Sequence, residues 1–296
     1  MSSGRINELG VERLCLFGMP PVEHVSLAAD LGCTGIGIGL EAMRYYNPDN
    51  YPDWSLRDDP ALRREMIAAM RDRGVRVTLC EGFGLTPEGN PYDFAGDLDI
   101  AAELGSERIN AVSSDRDRQR AIDGFATIAE MAAQRGIEVT SEIGMGPMSR
   151  LPKALAVLDQ VGAENFRLLI DTMHYFRLGG SIAEIAAIDP QLIGYVQLCD
   201  APLVSPIESY MEEALHEREA PGSGELPLRE FLALLPRDVV VSVEVPQRSL
   251  AEAGVPARER VRRCVEAARA LLTESLCPQA DNAIIDAPSA KDVPHG

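Results

Sequence analysis

Positive charge, histidine and long apolar runs are all scarce in this chain, and each scarcity excludes something. Lys and Arg total 28 against 46 Asp and Glu, giving a formal net charge of −18 and a pI near 4.6. Phosphate backbones and anionic lipid need basic surface, so neither nucleic acid nor membrane is an expected partner. No apolar run reaches the ~20 residues of a membrane span. The N-terminal MSSGRINELG lacks the apolar core of a secretory signal, and a cytoplasmic location is expected. The four histidines are His24, His174, His216 and His295, too few for a histidine-rich multi-metal centre. The six cysteines form no CxxC pair. That argues for buried reduced thiols and against a zinc–thiolate site. GxSxG, GxGxxG and Walker patterns are missing as well.

The chain has 296 residues and 46% hydrophobic content. That suits one α/β barrel, which takes ~250 residues. Strand-like and helix-like segments alternate along it. The strands are read at 13–19, 34–40, 75–83, 107–114, 137–144, 166–172, 193–200 and 239–245. Helical spacing fills most of the intervals, and a last helix covers roughly 257–273. Eight strands alternating with helices imply parallel pairing with right-handed crossovers, and eight closes a single (β/α)8 TIM barrel. Residues 1–275 are assigned to the barrel. Residues 276–296 are assigned to a C-terminal tail, disordered or packed on a neighbour. Two strand-to-helix loops are long, 41–59 and 201–225, and are the natural lids of the catalytic face.

Four polar residues stand at the ends of four successive strands: Glu142 in VTSEIG, Asp171 in LLIDTMH, Gln197 in YVQLCD and Glu244 in VSVEV. Strand side chains alternate. Glu142 therefore shares a face with Thr140, Asp171 with Leu169, Gln197 with Tyr195, and Glu244 with Ser242. Any one of the four could be a loop-edge residue capping a helix. Four together, converging in a barrel, offer oxygen donors to one hard divalent cation, Mn²⁺ or Mg²⁺. His174 follows Asp171 by three and suits a substrate contact or support for a ligand.

The set Glu…DTxH…QLCDAP…RxxPGxGxLPL…SVEVP resembles the xylose isomerase-like TIM-barrel superfamily across roughly 11–272. That group holds sugar-phosphate isomerases, ketose 3-epimerases, and inosose and 3-dehydroshikimate dehydratases. The resemblance implies one divalent metal held by Glu142, Asp171, Gln197 and Glu244. Gln197 departs from the histidine usual in the epimerases and is closer to the dehydratases. The segment HEREAPGSGELPL resembles a loop that brings Arg218 to substrate, with His216 beside it. A solvated surface charge is the bland alternative for Arg218.

The implied chemistry is proton abstraction next to a carbonyl, with Glu142 and Glu244 as the catalytic pair. The leading expectation is a metal-dependent isomerase or epimerase acting on a sugar-like polyhydroxy carbonyl compound through an enediolate. A dehydratase of the 3-dehydroshikimate or inosose type, a carbon–oxygen lyase, uses the same site. A barrel that binds ligand without turnover is the third reading. A homo-oligomer is an open expectation.

Overall fold

The computed structural model describes residues 8–276; the expected tail, apart from Leu276, lies outside them. Eight parallel strands form one closed barrel in the order β1 to β8. They are β1 Leu9–Glu12, β2 Gly35–Gly39, β3 Arg76–Leu85, β4 Arg108–Ser113, β5 Glu138–Glu142, β6 Phe166–Asp171, β7 Ile193–Leu198 and β8 Val240–Val243. Pairing of β1 with both β2 and β8 closes the ring.

Seven strands fall where the sequence puts them, but the first does not. Residues 13–19 were expected as a strand. The strand is instead Leu9–Glu12, and Arg13–Leu16 is a 3-10 turn ending at Phe17 with φ 46°. A short buried apolar run has no period that separates strand from turn. The turn buries Leu14, Cys15 and Leu16, which satisfies the same hydrophobic pattern.

Alternation in the strands sorts two cores. Val11, Ile36, Ile38, Val139, Leu168, Ile170, Val196 and Val241 face the helices in one large cluster. Leu79, Leu169, Tyr195 and Val240 pack together inside the barrel. The chain after β1 has an unusual neighbour in GIGIG of β2. A Cβ on Gly35, Gly37 or Gly39 would meet Thr78, Glu12 or Arg13 respectively, at 2.9, 1.7 and 1.7 Å. Three alternating glycines therefore clear the barrel interior for inward-pointing side chains.

The helices follow from local signals. Asp59 caps Pro60–Arg73 by accepting from the Ala61 and Leu62 N–H groups, and Gly74 ends it at φ 67°. The last helix, Ala257–Leu276, runs slightly past its expected end. Three short helices, Thr172–Arg177, Tyr210–His216 and Arg248–Glu252, were not expected as helices; the second lies in the long 201–225 loop. Cys15, Cys33, Cys80, Cys199 and Cys264 are free and buried, as expected. Among the described residues no helix is long and apolar enough to cross a membrane.

Candidate active site

A cavity of about 430 Å³ opens at the C-terminal ends of the strands. Glu142, Gln197, Glu244, His174 and Arg218 all line it, so five of the seven residues singled out in the sequence meet there. Asp171 lies just beneath, fully buried. His216 is the seventh and does not line the cavity. It packs against the rings of Tyr45 and Tyr46, at 6.0 and 5.3 Å between centroids. It thereby joins the 41–59 loop to the 201–225 loop. Both loops reach the cavity, through Met43 and Tyr45 and through Leu215 and Arg218.

The DTxH spacing has a local cause. Asp171 ends β6 and is the N-cap of Thr172–Arg177, with Oδ1 accepting from the His174 N–H at 2.9 Å. The cap fixes His174 one turn beyond the strand. Its Nε2 lies 3.3 Å from Glu142 Oε1, and its Nδ1 contacts the hydroxyl of Tyr210.

The loop motif after β7 also has a structural reason. Asp200 is buried and accepts from the N–H groups of Ala201, Gly222 and Leu226 at 2.8, 2.9 and 3.1 Å. A Cβ on Gly224 would lie 2.4 Å from Asp200 Oδ1, so only glycine allows this close approach. The tied loop lays 217–219 between the ends of β7 and β8, through bridges Asp200–Glu219 and Glu217–Gln247. Arg218 is held there by its own N–H on Pro246 O at 2.9 Å.

Arg218 is not a solvated charge. Its side chain is 2% exposed. Nη1 donates to Asp171 Oδ2 at 2.5 Å and to Glu244 Oε2 at 3.0 Å, while Nε donates to Ala214 O at 2.8 Å. The four expected ligands meet at this mouth, with the Arg218 guanidinium between two of them. Glu142, Asp171 and His174 bring ligand atoms within 4.8 Å of one another, whereas Glu244 groups with Glu12 and Glu81. Gln197 sits between Glu81 and Glu244, its Nε2 3.2 and 3.0 Å from their Oε1 atoms. The guanidinium stands between Asp171 and Glu244 because buried carboxylates demand a counter-charge.

The electrostatics match. Burial, then the neighbouring Asp171, push the Glu142 carboxyl up to about 8. Burial would also raise Asp171, but Arg218 and then His174 outweigh it and hold Asp171 at about 2. Burial lowers His174 to about 4, so its imidazole is neutral. Burial raises Glu244 well above its usual range against the opposing pull of Arg218. A carboxylate–imidazole set of this kind fits a divalent cation, with hard oxygen donors and one nitrogen.

Sequence reasoning passed over Glu12, Arg13, Glu81, Asn110 and Tyr210. Arg13, Glu81 and Asn110 line the cavity, and Asn110 Oδ1 is buried without a partner. The signal for Glu81 was present, a polar residue in the C-terminal half of a strand, whereas Asn110 sits in the middle of β4. Glu12 was masked by the misplaced first strand.

The comparisons agree with the geometry. Residues 25–271 match the family described as xylose isomerase-like TIM barrel. A curated relative, the 3-dehydroshikimate dehydratase of Pseudomonas putida strain KT2440, is 26% identical over 245 residues. The match covers 75% of this chain and 35% of that protein, so the chain spans about a third of its relative's length. Among solved structures, the IolI protein with a bound zinc atom superposes with a TM-score of 0.74 at 17% identity, covering 90% of this chain and 99% of that one. A D-allulose 3-epimerase from Methylomonas sp., in complex with D-allulose, gives 0.66 at 15% identity, covering 90% and 97%. At these identities the structural likeness shows the fold. With a closed eight-stranded barrel, carboxylates at its mouth and a family match across most of its length, the chain belongs to the xylose isomerase-like TIM-barrel family.

Proposed function

We propose that this chain is a divalent-cation-dependent lyase that removes water from a polyhydroxy ketone of the 3-dehydroshikimate type. The observation that carries this reading is the state of Glu244. Its Oε1 is engaged by Gln197 at 3.0 Å and its Oε2 by Arg218 at 3.0 Å. Glu142 faces the cavity and, among the described residues, is paired only with His174, at 3.3 Å, so it is the less engaged base of the two. One base suits elimination, whereas epimerisation needs a second on the opposite face. The dehydratase name of the Pseudomonas relative supports the same choice.

Glu142 takes the proton from the carbon beside the carbonyl. The electron pair moves toward the carbonyl oxygen, and the hydroxyl one carbon further leaves. Burial and Asp171 push the Glu142 carboxyl up to about 8; once deprotonated, it can accept this proton and return it to the departing hydroxyl, which leaves as water. Neutral His174, oriented by its Asp171 cap and by Tyr210, presents Nε2 beside Glu142. Arg218 fixes Asp171 and Glu244 and shows its outer edge to the cavity. A divalent cation held by Asp171, His174 and one oxygen of Glu142 would polarise the carbonyl and stabilise the negative charge that develops.

Isomerisation or epimerisation remains the second reading, because Glu142 and Glu244 line one cavity from strands three apart in the ring. The Mn²⁺-loaded chain incubated in heavy water with 3-dehydroshikimate, inososes and ketoses separates the two. The proposal expects a conjugated product absorbing in the near ultraviolet. Deuterium entering a recovered or epimerised ketose, with no such product from any candidate, would replace lyase by isomerase. Neither signal, with substrate bound, would favour the non-catalytic barrel.

A further inference from the structure

Arg13 is a cation in the mouth to which the proposed reaction gives no task. It follows β1 directly, in the 3-10 turn Arg13–Leu16, and it lines the cavity with Glu81, Glu142 and Glu244. Arg218, the other arginine of the lining, is taken up by Asp171 and Glu244. Arg13 has no carboxylate partner among the described residues. Its Nη2 donates to Glu41 O at 3.4 Å, while the Glu41 carboxylate turns to Arg57 at 3.0 Å. Glu81, Glu142 and Glu244 turn to Gln197, His174 and Arg218 instead. A guanidinium carries five N–H donors in a planar fork, and all but this one lack an acceptor among the described residues.

The fold makes room for this side chain. A Cβ on Gly39, the last residue of β2, would lie 1.7 Å from Arg13 Nη1 and 2.5 Å from its Cζ. The guanidinium therefore rests on the bare backbone of the strand end. In the closed ring β1 stands opposite β5, so Arg13 faces the cavity from the side across from Glu142. A ligand with an anionic end at Arg13 lies across the mouth with its other end at Glu142. Asn110 from β4 lines the same cavity with its Oδ1 buried and unpartnered, an acceptor suited to a hydroxyl of that ligand.

We propose that Arg13 holds a carboxylate of the substrate, so that the chain acts on polyhydroxy keto acids and discriminates against neutral ketoses and inososes. The planar fork matches a carboxylate through two parallel N–H···O bonds. One guanidinium among three glutamates balances a single negative charge, not the nearly two of a phosphate monoester. In a chain of net charge −18 an anion needs such a local anchor, because the surrounding field repels it. This anchor narrows the substrate of the proposed function and rests on its placing of the active site in this cavity.

The test compares an acid with its neutral ester. Shikimate, which lacks the ketone and so cannot react, and methyl shikimate are titrated calorimetrically into the Mn²⁺-loaded full chain, with circular dichroism as the check on folding. Wild type should bind the acid about 10–100-fold more tightly than the ester, the range that charge-assisted hydrogen bonds give. Arg13→Met should lose that difference, binding both as wild type binds the ester, and Arg13→Lys should keep part of it. Arg13 is only partly buried and leaves no carboxylate unpaired, so both variants should fold. Acid and ester weakened together in Arg13→Met would make its role structural and overturn the anchor. Equal binding of the two by wild type, or binding of neither, would overturn it too. So would a preference kept in Arg13→Met, which would place the carboxylate elsewhere in the mouth. Turnover separates this anchor from the reaction: KM for 3-dehydroshikimate should rise in Arg13→Met far more than kcat falls. Turnover with KM unchanged would remove the anchor and leave the lyase. An acid preference lost in Arg13→Met, with no turnover of any candidate by wild type, would keep the anchor and remove the lyase.

Discussion

Asp171 meets three demands with one carboxylate. It caps the helix that carries His174, it anchors Arg218, and it faces Glu142 across the base of the cavity. Removing its partner should be severe. Arg218→Met leaves Asp171 and Glu244 buried without their counter-charge, and breaking such a pair costs about 3–5 kcal/mol. Urea unfolding of the metal-free protein measures the loss, and added Mn²⁺ should recover part of it. An unchanged midpoint would mean that the guanidinium is not the counter-charge. At this scale the sequence was informative wherever a carboxylate closed an apolar strand, as at Glu142, Asp171 and Glu244. For Arg218 the residues alone left a solvated charge open, and it was the resemblance of its loop that placed it at the site. The tie from Asp200 to Gly222 and Leu226 shows how that loop folds inward.

β2 shows how an element can be read for a site it does not itself supply. GIGIG has no polar side chain, yet its three inward glycines define the space that Thr78, Glu12 and Arg13 fill. Gly37→Ala should therefore destabilise the barrel by overpacking, about 1–3 kcal/mol. Gly84→Ala has open space around its Cβ and serves as the comparison, with a thermal melt expected close to wild type. Equal melts for the two would refute the cradle. Seven strands were legible because parallel barrel strands are nearly continuous apolar runs between helices. The first was not, because its four residues LGVE are shorter than the apolar turn that follows. The displacement hid Glu12. The short helices after β6 and β7 were hidden too, since six or seven residues give too little periodicity to detect.

The whole molecule is acidic, and Glu81, Glu142 and Glu244 bring that acidity to its mouth. Its acid stability should be limited elsewhere, by His24. That ring is 2% exposed and contacts Val11 O at 3.1 Å. Burial lowers it from 6.5 to about 4. The folded state then binds fewer protons than the unfolded chain between those values. Stability is complete above pH 6.5 and falls as pH drops toward 4, by about 3 kcal/mol in all. Unfolding at pH 7 and pH 5 should show this fall in wild type and a smaller one in His24→Gln. Equal slopes would assign the acid limb to other groups. The account as a whole turns on Glu142. The most direct measurement is turnover of 3-dehydroshikimate by Mn²⁺-loaded wild type and Glu142→Gln, followed in the near ultraviolet. A product formed by wild type, and a drop of about 10²–10⁴ in the variant at unchanged fold, is the predicted result. A variant that turns over at the wild-type rate would contradict the account, because Glu142 would then not be the base.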